Sequence, residues 1–469
     1  MSVKKLVSTL FALALIAGLM AACASPTPTS APATQPPAPA TAAPATAAPA
    51  TAAPATAAPA TAAPAKTPVT LSYLVSQGWA PDAEIALAKQ FAQQTGITID
   101  YQVVPADQYF NVLKTKLASG QGPDIFGGQS GKTDLVVNYD VEKNAVDLSA
   151  EPWVKLEDPM VLDQATINGK VYGLTNWQNA TAGAWVIDYN KDIFTKLNLS
   201  VPTTYADFKA ACLKIKATGV TPIYEPMSDG WHQTLWFAEL GVQIENVTPG
   251  TADLLNTNKT TFAQNPTALL ILQQFKDLYD SGCFGDNSLS DAYANTTKVF
   301  TSGTAAMIVD GVGFPQKVKG DYPSYDINNI GLMLMPLADN QVLNLNPAGP
   351  SKFIWSGSKH IAEAEQYFDF LTQTANLQYL LDNYASFTEM SFPGVKGKLL
   401  PSQEAFLNAQ VKRGVVYQTA VKYVNPQWMD MGKDMVAMVT GTETPLQVLQ
   451  NIDKRRAEEA KAASDPYWK

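Results

Sequence analysis

Several residue patterns in this 469-residue chain are close to those of enzymes, but each one is incomplete. Residues 127–133 (GGQSGKT) end like a phosphate-binding loop, yet the position of that motif's first glycine is occupied by Phe126. An S-x-x-K pattern at 356–359 lacks the S-D-N and K-T-G companions it has in penicillin-binding enzymes. The chain contains two histidines and no G-x-S-x-G, so neither a histidine zinc cluster nor a serine triad is predicted. The sequence does not exclude a pair of catalytic carboxylates, as in glycoside hydrolases, because acidic residues are plentiful.

A second group of side chains is better suited to binding than to catalysis. These aromatic and polar residues come where predicted strands end: Trp79, Gln129, Ser130, Trp177, Asp229, Trp231, Asp310 and Phe314. In open α/β sheets, the loops at the carboxyl ends of strands line the ligand crevice. Flat aromatic faces pack against the apolar faces of pyranose rings, while carboxylates and amides bind hydroxyl groups. The shared location of these residues predicts a sugar site, although an aromatic of this kind taken singly is more often a core residue than a ligand contact.

Apolar periodicity predicts the elements that position these residues. Alternating apolar residues predict strands at 69–75 and 96–104, and apolar stripes predict helices at 81–95 and 109–119. The alternation of strands and helices continues to residue 335, and the last third of the chain is mostly helical. Thr444 and Gln447 predict a capping box at the start of the final helix. Strands that alternate with helices predict an α/β fold with largely parallel sheets.

The first 68 residues have a composition of their own. Two lysines, an apolar run and small residues before Cys23 predict a signal peptide over 1–22, and the run is too short for a transmembrane helix. Residues 19–23 (LMAAC) resemble a bacterial lipoprotein processing site, which implies that Cys23 is acylated; an ordinary cleaved signal is the alternative. Five copies of TAAPA lie between 41 and 65, and they predict an extended polyproline-II tether over 23–68.

Charge and cysteine content restrict the partners. The first 68 residues contain three lysines and no acidic residue, so 30 basic residues face 42 acidic ones in the remaining chain, a net charge near −12. Such a field repels phosphate backbones and argues against nucleic acid. The whole chain contains three arginines, which disfavours an anionic ligand. Cys212 and Cys283 could form a disulfide in an oxidising compartment or remain two buried thiols.

Five segments resemble the family 1 extracytoplasmic solute-binding lipoproteins of ABC importers, a group that includes maltose-binding-like sugar receptors. They occur in the family's order at 119–126 (SGQGPDIF), 167–176 (INGKVYGLTN), 184–208 (AWVIDYNKDIFTKLNLSVPTTYADF), 300–311 (FTSGTAAMIVDG) and 359–378. The resemblance covers nearly all of residues 69–469.

This resemblance implies a class II periplasmic-binding-protein-like α/β fold, in which hinge segments join two lobes around a ligand cleft. One lobe would comprise 69–181 plus 337–373, and the other 182–336 plus 374–469. Ligand would close the cleft by hinge motion, and the closed form would bind the transmembrane subunits of an ABC permease. The protein would act as a monomer without catalysis, cofactor or metal, and its lipid anchor would hold it at the outer face of a bacterial membrane.

The resemblance also implies roles for particular residues. Gln129 and Ser130 lie in a family binding loop that often carries an aromatic residue, which is absent from this sequence. Residues 306–314 match a stretch that usually reads DGxW, with the tryptophan stacked on sugar. Gly313 occupies the place of that tryptophan and Phe314 follows it, so the stacking is either shifted by one residue or lost.

Two further family loops contribute candidates. Asp229 and Trp231 belong to a segment (SDGWH) that matches a cleft loop, and His232 beside them is expected to be a polar surface residue. Trp428 lies near the family's C-terminal contact helix, with lobe packing as the alternative. The predicted function is capture of a neutral sugar or oligosaccharide. The alternatives are a non-sugar solute, such as a polyol phosphate, amino acid or peptide, and a tethered carbohydrate-active hydrolase.

Overall fold

The computed structural model describes residues 68–469. The predictions made for the signal peptide, Cys23 and the TAAPA tether concern residues outside this range. Within it, no helix is both long enough and apolar enough to cross a lipid bilayer.

The strands are short, and they form two main sheets. In chain order they are β1 (Val69–Ser76), β2 (Ile97–Val104), β3 (Ile125–Gln129), β4 (Thr166–Ile167), β5 (Lys170–Val171), β6 (Gly173–Leu174), β7 (Trp185–Asn190), β8 (Thr221–Tyr224), β9 (Ala305–Gly311), β10 (Ile330–Met333), β11 (Leu343–Leu345), β12 (Pro350–Ile354) and β13 (Arg413–Val415). One sheet has the order β2-β1-β3-β12-β6 and the other the order β10-β7-β9-β8. The pairs β11-β13 and β4-β5 are separate.

Helices cover both main sheets. They are α1 (Asp82–Thr95), α2 (Ala106–Ala118), α3 (Lys132–Val137), α4 (Val141–Asn144), α5 (Pro159–Asp163), α6 (Lys191–Lys196), α7 (Tyr205–Lys216), α8 (Leu235–Ala238), α9 (Gly241–Val247), α10 (Thr251–Asn256), α11 (Pro266–Asp280), α12 (Thr296–Thr301), α13 (Phe314–Asp321), α14 (Ile361–Leu371), α15 (Thr374–Asn383), α16 (Pro401–Ala409), α17 (Tyr417–Ala420), α18 (Trp428–Val439) and α19 (Pro445–Ala462).

Each main sheet is the centre of one lobe. In the N-terminal lobe, β1 is buried on both faces: Leu71 and Val75 belong to one hydrophobic cluster, and Leu74 belongs to the cluster on the opposite face. In the C-terminal lobe, β9 is likewise central, with Met307 in one cluster and Ile308 in another. Strands buried on both faces often read as continuous apolar runs, as β9 does, whereas β1 was predicted from its alternating apolar residues.

The chain passes between the lobes three times. The first crossing lies between β6 and β7, the second between β11 and β12, and the third follows α15. Leu337 and Leu343 still pack in the C-terminal lobe, and Leu377 and Leu380 still pack in the N-terminal lobe. The second and third crossings therefore come later in the sequence than the boundaries at 337 and 373 that the resemblance implied.

Both main sheets are mixed, whereas the sequence predicted largely parallel ones. β1 is parallel to β2 and β3, and β8 is parallel to β9. β12 is antiparallel to both of its neighbours, and β7 is antiparallel to β9 and β10. A helical crossover within one sheet favours parallel strands, but β7 and β12 enter their sheets from the other lobe and are free of that constraint.

Two smaller predictions concern local structure. The capping box at the start of α19 is confirmed: the Thr444 hydroxyl accepts a hydrogen bond from the Gln447 N–H (3.2 Å), and Gln447 Oε1 accepts from the Thr444 N–H (2.8 Å). Cys212 and Cys283 are both buried in the core of the C-terminal lobe. Both are free thiols in this structure.

Candidate functional site

An aromatic cluster forms the part of the site that lies on the C-terminal lobe. The half-buried Trp231 ring, in the loop after β8, meets the edge of Tyr293 (5.0 Å between centroids) and of Trp185 (5.9 Å). Trp428 Nε1 donates a hydrogen bond to the Trp231 carbonyl oxygen (3.1 Å). The structure therefore brings together the predicted residues Trp231 and Trp428, and it adds Trp185 and Tyr293 to them.

Two glycines hold the Trp231 loop against helix α18. Gly230 has φ of 77°, a left-handed conformation that favours glycine. A Cβ atom on Gly432 of α18 would lie 1.8 Å from the Gly230 carbonyl oxygen, so the helix can approach the loop only without a side chain there. Gln233 Nε2 fixes the same contact by donating to the Gly432 carbonyl oxygen (2.9 Å). Trp231 and Trp428 are thus held in place by one tight backbone contact.

Tyr293 connects the two predicted acidic residues. Its backbone N–H donates to Asp229 Oδ2 (2.6 Å), and its hydroxyl donates to Asp310 (2.9 and 3.0 Å to the two carboxylate oxygens). Lys317 Nζ lies 3.1 Å from Asp310 Oδ2 and 3.9 Å above the Tyr293 ring. Burial raises the pKa of Tyr293 well above its ordinary value, and the charge of Asp310 raises it further. Sequence reasoning missed Tyr293 because it lies in a short turn between helices, without apolar periodicity.

His232 is fully buried, which corrects the expectation of a surface residue. Its Nε2 lies 3.0 Å from the Val309 carbonyl oxygen, which can only accept, so Nε2 carries a proton. Its Nδ1 lies 2.7 Å from Glu225 Oε1, and the other oxygen of Glu225 accepts from Trp236 Nε1 (2.7 Å). All three side chains are inaccessible to solvent. This buried network supports the Trp231 loop from beneath, because the His232 ring is 5.1 Å from the Trp231 ring.

We expect His232 to stay protonated at pH values above its usual titration range. Burial alone would lower the pKa of His232, but the charge and hydrogen bond of Glu225 together raise it. Because the folded-state pKa is the higher one, this group's contribution to stability is complete below about pH 6.5 and is lost as pH rises through the folded-state pKa.

The measurement is an NMR titration of imidazole resonances, which is simple because the chain has two histidines. A His360→Gln variant assigns the signal of the other, half-buried histidine. A His232 signal that titrates at or below pH 6.5 would contradict this expectation.

Four predicted residues lie together on the N-terminal lobe. The half-buried Trp79 ring meets Tyr109 (5.4 Å between centroids) and lies beside β3, the strand that ends at the half-buried Gln129. The next residue, Ser130, is buried, and its hydroxyl donates to the Gly349 carbonyl oxygen (3.1 Å). A Cβ atom on Gly349 would lie 2.9 Å from the Trp177 ring. Ser130 is thus linked to Trp177 through Gly349, and Trp79 lies against Gly127 of the strand that ends at Gln129.

Tyr384, directly after α15, packs against the hydrophobic core of the N-terminal lobe. Its ring meets the edge of Trp177 (5.6 Å between centroids). Burial raises the pKa of Tyr384, a hydrogen bond with Ser386 lowers it, and the negative charge of Asp310 on the C-terminal lobe raises it. Trp177 and Tyr384 therefore lie near Asp310 and Tyr293, close enough for the charges of these groups to interact. Tyr384 was also missed from the sequence, because it follows a helix instead of a strand.

Phe314 does not take part in this surface. It has no exposed area, and its ring packs edge-on against Phe300 (5.1 Å between centroids) in the core beneath α13. A Cβ atom on Gly313 would lie 1.8 Å from the Ser386 carbonyl oxygen, so the backbone of the third crossing occupies the space that an aromatic side chain would need. In this structure, therefore, no aromatic ring is available for stacking at this position, and Phe314 does not replace it.

The remaining chemistry of the site is limited to aromatic faces and a few paired polar groups. Among residues 68–469, no three His, Cys, Asp or Glu side chains are grouped closely enough to hold a metal ion. Two shallow depressions, of about 390 and 240 Å³, lie elsewhere on the C-terminal lobe and contain none of the residues predicted for the site.

Comparison with known proteins gives a family match. Residues 77–378, more than half of the chain, match the family described as bacterial extracellular solute-binding protein, which confirms the resemblance found in the sequence. A binding protein of Brucella abortus is 25% identical over 292 residues, which are 60% of this chain and 66% of that protein. A multiple sugar-binding protein of Streptococcus mutans is 21% identical over 273 residues, or 58% of this chain and 63% of that protein. The chain thus spans slightly less than two thirds of each of these relatives.

The solved structures confirm the two-lobed α/β fold. A sugar transporter of Bacillus licheniformis, solved in complex with stachyose, superposes with a TM-score of 0.70. It covers 83% of this chain and 100% of its own, at 19% sequence identity. At that identity the likeness concerns the fold.

Proposed function

Because the chain belongs to the bacterial extracellular solute-binding proteins, we propose that it is the substrate-binding component of an ABC importer and captures a neutral sugar or oligosaccharide. The observation that carries the proposal is a set of aromatic rings on both lobes: Trp177 meets Tyr384, and Trp231 meets Tyr293, whose hydroxyl donates to Asp310. Rings of this kind pack against the apolar faces of a pyranose, and Gln129 and Asp229 are placed to bind hydroxyl groups.

The charges around the site favour an uncharged ligand. Asp310 is already paired with Lys317 (3.1 Å), so neither group offers an unbalanced charge. The three arginines of the chain are engaged elsewhere: Arg413 with the Leu407 carbonyl oxygen, Arg455 with Asp434, and Arg456 with the Leu255 carbonyl oxygen. An anionic ligand such as a polyol phosphate normally needs a guanidinium clamp, and none is available at this surface.

The two lobes provide a physical mechanism for capture. Tyr384 meets Trp177 of the N-terminal lobe and is close enough to Asp310 of the C-terminal lobe to be affected by its charge, so a ligand held there would contact both lobes at once. A ligand that binds the closed arrangement better than the open one shifts the balance toward closure. The closed monomer would then bind the permease, and an acylated Cys23 would keep it at the outer face of the membrane. The ligands named for the relatives, stachyose and multiple sugars, support a saccharide as cargo.

The test is a thermal-shift screen against neutral mono- and oligosaccharides, followed by titration of tryptophan fluorescence. A bound ligand raises the melting temperature, by an amount that grows with ligand concentration above the dissociation constant. We expect at least one neutral saccharide to do so and polyol phosphates, amino acids and peptides to have no effect. Absence of any saccharide effect would remove the sugar assignment. Turnover of labelled oligosaccharides by the purified protein would instead favour the hydrolase alternative.

A further inference from the structure

A continuous line of hydrogen-bonded side chains connects the two lobes at the hinge. Asn425 Nδ2 donates to Asp134 Oδ2 (2.6 Å), and Asn425 Oδ1 accepts from Gln418 Nε2 (2.7 Å). Gln418 Oε1 accepts from Asn346 Nδ2 (2.9 Å), which also lies 3.4 Å from Glu239 Oε1. We name these five residues the hinge network. It begins in the N-terminal lobe and ends in the core of the C-terminal lobe.

The Asp134 end of the hinge network is a direct contact between lobes. Asp134 lies on α3 of the N-terminal lobe, while Asn425 precedes α18 of the C-terminal lobe. Both side chains are buried, and burial raises the pKa of Asp134 to about 7. Asn138 Nδ2 donates to the other oxygen of Asp134 (2.7 Å), so the carboxyl group is satisfied from both lobes. Beside it, Val137 packs against a C-terminal cluster that includes Trp468.

The middle of the hinge network lies on the crossing segments themselves. Asn346 belongs to the second crossing, and its N–H donates to the Ala180 carbonyl oxygen on the first crossing (3.0 Å). A Cβ atom on Gly183 would lie 2.7 Å from the Asn346 carbonyl oxygen, so the two crossings are in close contact there. Rotation of one lobe about this hinge must change the geometry of the network, because its members are attached to both lobes and to the hinge.

Breaking such a network is costly only if its polar groups lose their partners. The side chains of Asp134, Gln418 and Asn425 are directed at one another instead of at the residues of the candidate site. A buried hydrogen bond that involves a carboxyl group stabilises an arrangement more than an exposed one does, since an unpaired buried group carries its full desolvation cost. The network therefore stabilises the lobe arrangement seen in this structure.

We propose that the hinge network is a latch that sets the balance between lobe arrangements, and that Asn425 and Gln418 are positioning residues for ligand capture although they do not touch ligand. This inference rests on the proposed function, in which affinity depends on lobe closure. The apparent dissociation constant of each ligand equals its intrinsic value divided by the fraction of protein in the competent arrangement. Changing the latch alters only that fraction, so it must change the affinity for every ligand by one common factor.

The experiment compares three variants of the full chain with the unchanged protein. Asn425→Ala and Gln418→Leu each break the hinge network at a different place. Asn340→Ala removes an equally buried amide whose bonds, to the Met335 and Val342 carbonyl oxygens, stay within one lobe. Folding is checked by far-ultraviolet circular dichroism, and Gln418→Leu serves as the test if Asn425→Ala does not fold. Dissociation constants are measured for several saccharides from the thermal-shift screen, and small-angle X-ray scattering is recorded without ligand.

We expect each latch variant to change all dissociation constants by the same factor, of about tenfold, and to shift the distance distribution of the unliganded protein. Asn340→Ala should do neither. If a variant changes the dissociation constants of different saccharides by different factors, Asn425 or Gln418 contacts the ligand and the proposal is wrong. The proposal is also wrong if the scattering of the unliganded variants equals that of the unchanged protein. If no saccharide binds even the unchanged protein, the proposed function fails, while the scattering comparison still tests the latch.

Discussion

Replacing Trp231 with alanine is expected to weaken saccharide binding by about 30-fold, which corresponds to about 2 kcal/mol of binding free energy. The ring is half-buried between Trp185 and Tyr293, so it presents a fixed face at low entropic cost when ligand arrives. Isothermal titration calorimetry on the saccharide found in the thermal-shift screen measures the change. The protein should stay folded, because the Gly230–Gly432 backbone contact and the buried His232 network hold the loop without this side chain.

Two further variants make this result specific. Trp231→Phe keeps an aromatic face and should recover most of the affinity. Trp355→Ala removes another half-buried tryptophan, which packs against Gly122 and Gly357 away from the candidate site, and should leave affinity unchanged. Equal affinity in Trp231→Ala and the unchanged protein would remove Trp231 from the site, and equal losses in Trp231→Ala and Trp355→Ala would indicate a general structural effect.

Replacing Lys352 with methionine is expected to lower the free energy of unfolding by about 3–5 kcal/mol. Lys352 Nζ lies 2.9 Å from Glu84 Oε2, and both side chains are 1% exposed. It also donates to Asn176 Oδ1 (2.7 Å), directly before Trp177 of the candidate site. Methionine has a similar shape but no charge, so Glu84 would be left as an unpaired buried acid. Urea unfolding followed by circular dichroism measures the loss.

A double variant distinguishes the loss of a pair from the loss of a side chain. Glu84→Leu combined with Lys352→Met removes both charges, and it should recover most of the stability that the single change loses. Lys132→Met is the matched control, since Lys132 pairs with Asp163 at 2.7 Å but the two side chains are 52% and 53% exposed. That control should cost less than about 1 kcal/mol. A double variant as unstable as Lys352→Met would contradict the account of a buried unpaired charge.

Most of the local structure was predictable from local signals. The strands at β1, β2, β8 and β9 follow apolar runs, and the final helix begins at the predicted capping box. Trp231 and Trp428 were both singled out from the sequence, yet their hydrogen bond joins residues 197 positions apart. Their contact depends on Gly432, whose missing side chain lets α18 approach the loop, and no short-range pattern marks that glycine.

The predictions for Phe314 and His232 were wrong for a related reason. Phe314 has the type and the place of a stacking residue, but the third crossing occupies that space at Ser386 and directs the ring into the core. His232 is polar and adjacent to a candidate, but Glu225 and the Val309 carbonyl oxygen satisfy it inside the protein. Burial of a side chain is decided by what packs over it, and in both cases the covering element comes from elsewhere in the chain.

The sequence by itself determined the α/β class, the family, and a set of aromatic and polar residues at strand ends. Periodic burial, capping and turn preferences act over a few residues, so they can be seen in one segment at a time. Only the tertiary structure decided where the chain crosses between lobes, that Tyr384 of one lobe lies near Tyr293 of the other, and that Asp134 meets Asn425 across 291 positions. Such pairings arise from the packing of whole elements, which many residues determine together and no single segment encodes.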